Sequence, residues 1–281
     1  MKLRTALRRL LEGWEQSIGS KWRAALAETT LGWTSKALDR EMRPGEYVLP
    51  KGAHIFHAFE NTVPAHVRAV LLGQDPYPKV DWATGRAFEQ GNLEEWPEES
   101  HKVAGSLRRI VQAIASAAAG NPHYAAGDRG WRILMRDVRA GRRTLLPPKE
   151  FFDHLERQGL LFLNTSLTVS VTPEGNQGHF QLWAPLIGKV LSFLACRGRG
   201  HIVFLLFGRQ AENAFERSGA RAAAQIAGAW ETRAGLVRHF HPAAITKNGT
   251  PFLEPPNPFL AANELLRRMG ADTINWGITP G

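Results

Sequence analysis

The 281-residue chain has one cysteine, Cys196, and that scarcity removes several chemistries at once. A single thiol cannot build a disulfide framework, a four-cysteine zinc site or a protein-only iron–sulfur ligand set. The Pro-Cys-x-x-Cys pair of zinc deaminases is missing too. Long apolar runs are also lacking: the stretch from Ile202 to Phe207 is far shorter than the roughly 20 residues of a membrane span, so no membrane partner is expected. No Gly-x-Gly-x-x-Gly and no Walker loop occurs, which argues against a dinucleotide or nucleoside triphosphate site. Acid is in short supply, with Asp+Glu 26 against Lys+Arg 35 and a formal charge of +9. Such a balance attracts polyanions and points first to nucleic acid.

What is present suffices for a sizeable core, since 43% of the residues are hydrophobic. No internal repeat, low-complexity tract or long linker divides the chain, so one domain over residues 1–281 is expected. At the amino terminus Lys2, Arg4, Arg8 and Arg9 precede any acid, and Leu3, Leu7, Leu10, Leu11 and Trp14 follow helical spacing. A transit peptide and a terminal amphipathic helix both have this pattern; Glu12 and Glu15, with no small-residue cleavage site, favour a helical extension over residues 1–20.

Four strand-length apolar runs organise the rest: Val67 to Leu72, Leu160 to Leu163, His201 to Phe207, and Leu236 to Phe240. Most are too continuously apolar to face water on one side. Helical patterns alternate with them at Lys21 to Asp39, Lys102 to Ala118, Lys149 to Arg157, Leu182 to Leu194, Arg209 to Arg217 and Phe259 to Met269. Buried strands alternating with helices predict a three-layer α/β/α fold around a central four-stranded parallel sheet.

Ligands of such sheets gather at the carboxyl ends of the strands. There the sequence places Gly73-Gln74-Asp75-Pro76-Tyr77-Pro78, then Asn164-Thr165-Ser166, then Gly208-Arg209-Gln210, and finally His241-Pro242-Ala243-Ala244-Ile245. Each residue taken singly has an ordinary reading: Asp75 as a turn or cap residue, Asn164 as a strand terminus, His241 as a structural histidine, Phe88 as core. Together they put a carboxylate, an amide, an imidazole and an aromatic ring on one edge.

These residues carry a resemblance to the uracil-DNA glycosylases, in the branch whose water-activating loop reads Gly-Gln-Asp-Pro-Tyr-His. Gly73 to Tyr77 match that loop, and Phe88 in Gly85-Arg86-Ala87-Phe88 stands where the family has its uracil-stacking phenylalanine. Leu161-Phe162-Leu163-Asn164 with Leu167-Thr168-Val169 is similar to the second motif. His241-Pro242-Ala243-Ala244-Ile245 is similar to the His-Pro-Ser-Pro-Leu loop, and Asn263-Glu264-Leu265-Leu266 resembles the closing helix. The resemblance implies hydrolysis of the N-glycosidic bond of deoxyuridine in single- or double-stranded DNA, releasing uracil and leaving an abasic site.

That chemistry has to stabilise positive charge on the sugar and negative charge on the leaving base. The resemblance assigns Asp75 to the water and the oxocarbenium, and a neutral His241 to uracil O2; no metal and no cofactor is expected. An Asn164 amide can donate to O4 and accept from N3–H of uracil, whereas cytosine reverses both groups. Gln74 completes the base pocket, Tyr77 is the wall against the thymine methyl, and Phe88 stacks on the extruded base. DNA contacts fall to Ala243, Ser166 and the apolar wedge Ile245.

Departures from the family pattern matter as well. Pro78 replaces a histidine, Ala243-Ala244 replaces Ser-Pro, and the loop after Phe88 is acidic, with Glu94, Glu95, Glu98 and Glu99. DNA grip is therefore expected partly from a basic insertion at residues 119–148. There Trp131, Leu134, Met135 and Val138 form an apolar helix face, and Arg132, Arg136, Arg139 and Arg143 line another; the same pattern also suits a solvated face. A monomer in a cytoplasmic, bacterial-type, nucleoid-associated setting is expected, with organellar or nuclear targeting left open. Two alternatives stay open: a non-catalytic DNA-binding module on the same fold, and a glycosylase of altered base specificity.

Overall fold

The computed structural model describes residue 2 and residues 19–26, 28–32, 55–170, 176–247 and 249–281. Its centre is a parallel sheet of β1 (Ala69–Gly73), β3 (Leu160–Asn164), β4 (Ile202–Phe207) and β5 (Ala234–His239), in the order β3-β1-β4-β5. Side chains alternate between the two faces, as the pleat requires. Val70, Leu72, Leu161, Leu163, Ile202, Phe204 and Leu206 enter one core, and Leu71, Leu160, Phe162, Val203, Leu205 and Phe207 the other. Both faces are apolar because both are covered, which is why the strands read as continuous hydrophobic runs.

The first core is closed by α1 (Ser20–Leu26), α5 (Asn176–Ala195), α6 (Arg209–Arg217) and α7 (Ala220–Ile226), through Trp22, Trp183, Leu186, Phe215 and Ala224. The second is closed by α2 (Gly105–Ala119), α3 (Gly127–Arg139), α4 (Pro148–Arg157) and α8 (Pro258–Arg268), through Leu107, Ile110, Trp131, Phe151 and Phe259. This is the three-layer arrangement that the strand and helix alternation predicts.

Two sequence expectations need correction, and one element goes beyond them. Within the described part of the helical pattern from Lys21 to Asp39, helix covers α1 and not residues 28–32, where the Gly32 N–H donates to the Leu182 carbonyl of α5 at 3.0 Å. Residues 33–39 lie outside the described residues, as does nearly all of the 1–20 extension; Lys2 makes an antiparallel bridge with Thr30. Strand β5 starts earlier than the apolar run suggests, since Ala234 and Gly235 already pair with Ile202 and Val203. A small antiparallel sheet of β2 (Arg143–Leu145) and β6 (Ile278–Pro280) is invisible in the pattern, because its partners are far apart in sequence and its strands are very short.

The 119–148 region is built into the second core rather than hung upon it. Gln112 of α2 donates to the Tyr124 and Gly127 carbonyls, each at 2.7 Å, and Trp131 and Leu134 are fully buried. The Trp131 indole donates to the Pro97 carbonyl at 3.0 Å, and Trp96 to Leu146 at 2.6 Å, so the acidic loop is pinned against this region.

Candidate active site

Strand register sets the site. Gly73 at the end of β1 pairs with Asn164 at the end of β3, and Phe207 at the end of β4 pairs with His239 of β5. The four chain exits therefore open side by side. Above them lies a cavity of about 240 Å³ lined by Gln74, Asp75, Tyr77, Phe88, Asn164, His241 and Ala243, together with Thr84, Arg86, Glu89 and Ser106. A larger groove of about 880 Å³ between α5 and α6 is lined by Thr165 and Gln210 but by none of the residues given a site role from the sequence.

The loop after β1 is anchored through its backbone: the Gln74 carbonyl accepts from the Ser166 N–H at 3.0 Å and from the Thr165 hydroxyl at 2.7 Å. Burial pushes the Asp75 carboxyl up to about 6, opposed by hydrogen bonds from the Gln74 side chain and its own backbone. It is ionised at neutral pH yet poorly solvated, a state suited to holding water and favouring nearby positive charge. The Tyr77 hydroxyl donates to the Phe88 carbonyl at 3.2 Å and lies 3.0 Å from the Ser106 hydroxyl; burial holds the phenol well above its ordinary pKa. Its ring stands edge-on to Trp82, at 5.7 Å between centroids, so it is a braced wall.

Phe88 adopts φ 67°, a left-handed conformation costing a non-glycine residue on the order of 1–3 kcal/mol. Its surroundings impose that conformation. The Ala87 N–H donates to the Phe162 carbonyl at 3.1 Å. Arg86 grips both Glu89 carboxylate oxygens, at 2.8 and 2.6 Å, across Phe88, and its other arm reaches Asp153 at 2.9 Å and Glu156 at 3.6 Å. Arg86 is held above its ordinary pKa by those acids, against its own burial; burial pushes Glu156 up to about 7 despite Arg86.

Asn164 is 3% exposed, and its amide makes no hydrogen bond with the described residues, so both of its polar ends are left for a ligand. His241 lines the same cavity, its ring centroid 6.1 Å from that of Phe88. Gly208, at φ 84°, makes room for it: a Cβ there would meet the His241 Cβ at 2.8 Å. The Ala243 N–H donates to His241 Nδ1 at 3.1 Å, so in the neutral ring the proton sits on Nε2, which is the donor left for a ligand. Burial first, and the Arg109 charge second, hold His241 below its ordinary pKa, keeping it neutral at neutral pH.

The structure separates the remaining predicted residues. Ser166 is fully buried and donates to the Thr168 carbonyl at 2.6 Å, so its side chain is not on a DNA-facing surface; a hydroxyl two residues beyond the strand is readily consumed in its own turn. Ile245 projects, 73% exposed, beyond the His241 loop. Arg132, Arg136 and Arg139 are all exposed on α3 and do not line the cavity, and Arg139 is paired with Glu98 of the acidic loop. Sequence reasoning passed over Arg109 and the Arg86 cluster. Nothing in the Arg108-Arg109 pair marks which residue turns inward: Arg108 binds Asp128 at 2.7 Å, while Arg109, only 7% exposed, turns to the His241 loop.

A family model described as the uracil DNA glycosylase superfamily matches residues 60–267. The chain is 27% identical over 242 residues to the uracil-DNA glycosylase of varicella-zoster virus, covering 85% of this chain and 63% of that longer protein. It is 25% identical over 265 residues to the uracil-DNA glycosylase of Coxiella burnetii, covering 94% of each. Among solved structures it is similar to the wild-type UNG crystal structure from Nitratifractor salsuginis, with a TM-score of 0.65 at 22% identity over 98% of this chain and 100% of that one. At that identity the likeness concerns the fold.

Proposed function

The chain belongs to the uracil DNA glycosylase superfamily, and we propose that it hydrolyses the N-glycosidic bond of deoxyuridine in DNA, without metal or cofactor. The observation that carries this reading is the convergence of Asp75, Asn164 and His241 on one cavity walled by Tyr77 and Phe88. At about 240 Å³ the cavity is below the usual size for drug-like ligands and suits a single base turned out of the helix.

In this reading uracil enters with one face on Phe88 and its N3–H and O4 on the Asn164 amide. Cytosine would leave that buried amide mismatched, a penalty of up to about 10⁴ to 10⁵ in rate. Tyr77, braced by Ser106 and Trp82, excludes a 5-methyl group. As the C1′–N1 bond breaks, its electron pair passes to the base and spreads to O2, where the Nε2–H of His241 donates. A fixed donor of this kind is worth about 2.7 to 4 kcal/mol to the transition state. Asp75 holds the water that adds to C1′, takes its proton, and favours the sugar cation electrostatically. Ile245 fills the space left in the helix.

The protein acts as a monomer in this reading, on single- and double-stranded substrates, in a bacterial-type cytoplasm. Among the described residues no helix is long and apolar enough to cross a membrane. The test is release of free base from oligonucleotides carrying uracil, thymine, cytosine or a deaminated purine, with Asp75→Asn and His241→Ala as controls. Uracil release that both substitutions abolish is the expected result. Absence of release from both single and double strands refutes the function, and binding without turnover would favour a non-catalytic module.

A further inference from the structure

Arg109 is a cation with no ion-pair partner among the described residues, buried to 7% exposure beside the site. Its Nη1 donates to the Pro242 carbonyl at 2.6 Å, from a helix 133 residues earlier in the chain. The carbonyl of Pro242 and the N–H of Ala243 belong to one peptide group, and that N–H donates to His241 Nδ1 at 3.1 Å. The atoms thus form a continuous chain: guanidinium, peptide C=O, peptide N–H, imidazole Nδ1, and the Nε2–H left for a ligand.

We infer that Arg109 is a positioning residue for His241, its guanidinium acting through the Pro242–Ala243 peptide to orient the imidazole and to strengthen its Nε2–H as a donor to the departing base. This rests on the function proposed above. A cation on the carbonyl draws electron density toward oxygen and makes the same peptide's N–H a better donor. That N–H in turn draws on Nδ1, so Nε2–H becomes a stronger donor without any proton being transferred. The charge also acts directly on the imidazole, disfavouring a second positive charge on the ring. Arginine serves here because it does not lose its proton even when buried.

Supporting features agree. Arg109 Nε is buried with no hydrogen-bond partner among the described residues, an uncompensated donor that costs stability and gains nothing as packing. Asp128, whose charge acts on Arg109, is engaged by Arg108 at 2.7 Å. Besides Arg109, the charged or titratable groups around His241 are Asp75 and Tyr77 on the loop after β1, the Arg86–Glu89 pair on the Phe88 loop, and His239 on its own strand. None of these lowers the His241 pKa as Arg109 does, after burial itself.

The experiment combines Arg109→Gln and Arg109→Lys with steady-state uracil release and a ¹⁵N NMR titration of His241. Arg109→Gln is expected to lower kcat by about tenfold or more with little change in KM, less than the about 10²–10³ lost with a whole donor. It is also expected to move the His241 titration upward. Arg109→Lys, which keeps the charge, is expected to hold the titration near its wild-type position and recover part of kcat. In a His241→Ala background Arg109→Gln is expected to have no further effect on kcat, since the two act as one unit. An unmoved His241 titration in Arg109→Gln, or additive losses in the double variant, would overturn the inference. The titration needs no turnover, so a protein that released no uracil would refute the proposed function and still report on the Arg109–His241 link.

Discussion

Replacing Gly73 with alanine adds one methyl group at the junction of β1 and the site, and the structure sets what it must displace. The new Cβ would stand 2.6 Å from Asn164 Oδ1, 3.0 Å from the Ala87 Cβ and 3.2 Å from the Phe88 ring. Gly73 cannot retreat: β1 is flanked by β3 and β4, and the Gly73 carbonyl accepts from the Thr165 N–H at 3.0 Å. Ala87 is held to Phe162 through its backbone. The yielding group is the Asn164 amide, which has no hydrogen bond among the described residues; to reach the 3.0 Å lower limit it must move by 3.0 − 2.6 = 0.4 Å or more. Overpacking of this kind costs about 1–3 kcal/mol of stability. A recognition group displaced by about 0.5 Å leaves the tolerance of a preorganised site, and misplacement approaching 1 Å costs about 10²-fold in rate. Gly73→Ala is therefore expected to lower kcat/KM for uracil release by about 10 to 10² while the protein remains folded. Single-turnover release from a single-stranded oligonucleotide, with thermal melts in the same buffer, measures both effects. A variant whose kcat/KM stays within about threefold of wild type would refute the steric reasoning.

Asp75 offers a stability prediction with a definite sign. Its folded pKa, about 6, lies above the ordinary 3.8, so the fold favours the protonated form; that contribution is complete below about 3.8 and lost as pH rises through about 6. Asp75→Asn is accordingly expected to raise Tm at pH 8, to leave it nearly unchanged at pH 3.5, and to abolish uracil release; a lower Tm at pH 8 would count against the burial argument. The same titration puts the acid limb of kcat/KM near pH 6, because the carboxylate works ionised. Arg86→Met strands the buried Glu89 and Glu156, while Asp153 keeps Lys149 at 2.8 Å, and is expected to cost about 3–5 kcal/mol in urea unfolding at pH 8, with the penalty shrinking at pH 5 as Glu156 takes a proton. Arg132→Glu with Arg136→Glu is expected to weaken DNA binding and flatten its salt dependence, whereas Arg139→Glu does less, because Arg139 spends its charge on Glu98, while the Asp137 that Arg136 approaches at 3.5 Å is already held by Arg142 at 2.7 Å. Equal losses at all three positions, or none, would remove α3 from the DNA surface.

The charge puzzle posed by the acidic loop is resolved partly by neighbours. Glu98 is paired with Arg139, and Glu99 with Lys102 at 2.9 Å, so two of the four acids are locally neutralised. Exposed pairs of this kind add little stability, but they change which charges a polyanion meets.

Local pattern determined the strands, most of the helices, the α/β layering and the exits on which Asp75, Asn164 and His241 stand. Those properties follow from apolar periodicity and from the rule that parallel sheets gather chemistry at their carboxyl edge. Tertiary structure alone decided the rest. Residues 28–32 left the helical pattern where Gly32 bonds to α5, and residues 143–145 and 278–280 found each other across the chain. Ser166 turned inward while Arg109 turned toward His241, from positions whose residue types give no sign of it. Periodicity reports which face of an element is buried, since burial repeats with every turn or alternate residue. It carries no record of what a single buried polar group meets there, because that partner arrives from another part of the chain and leaves no trace in the local spacing.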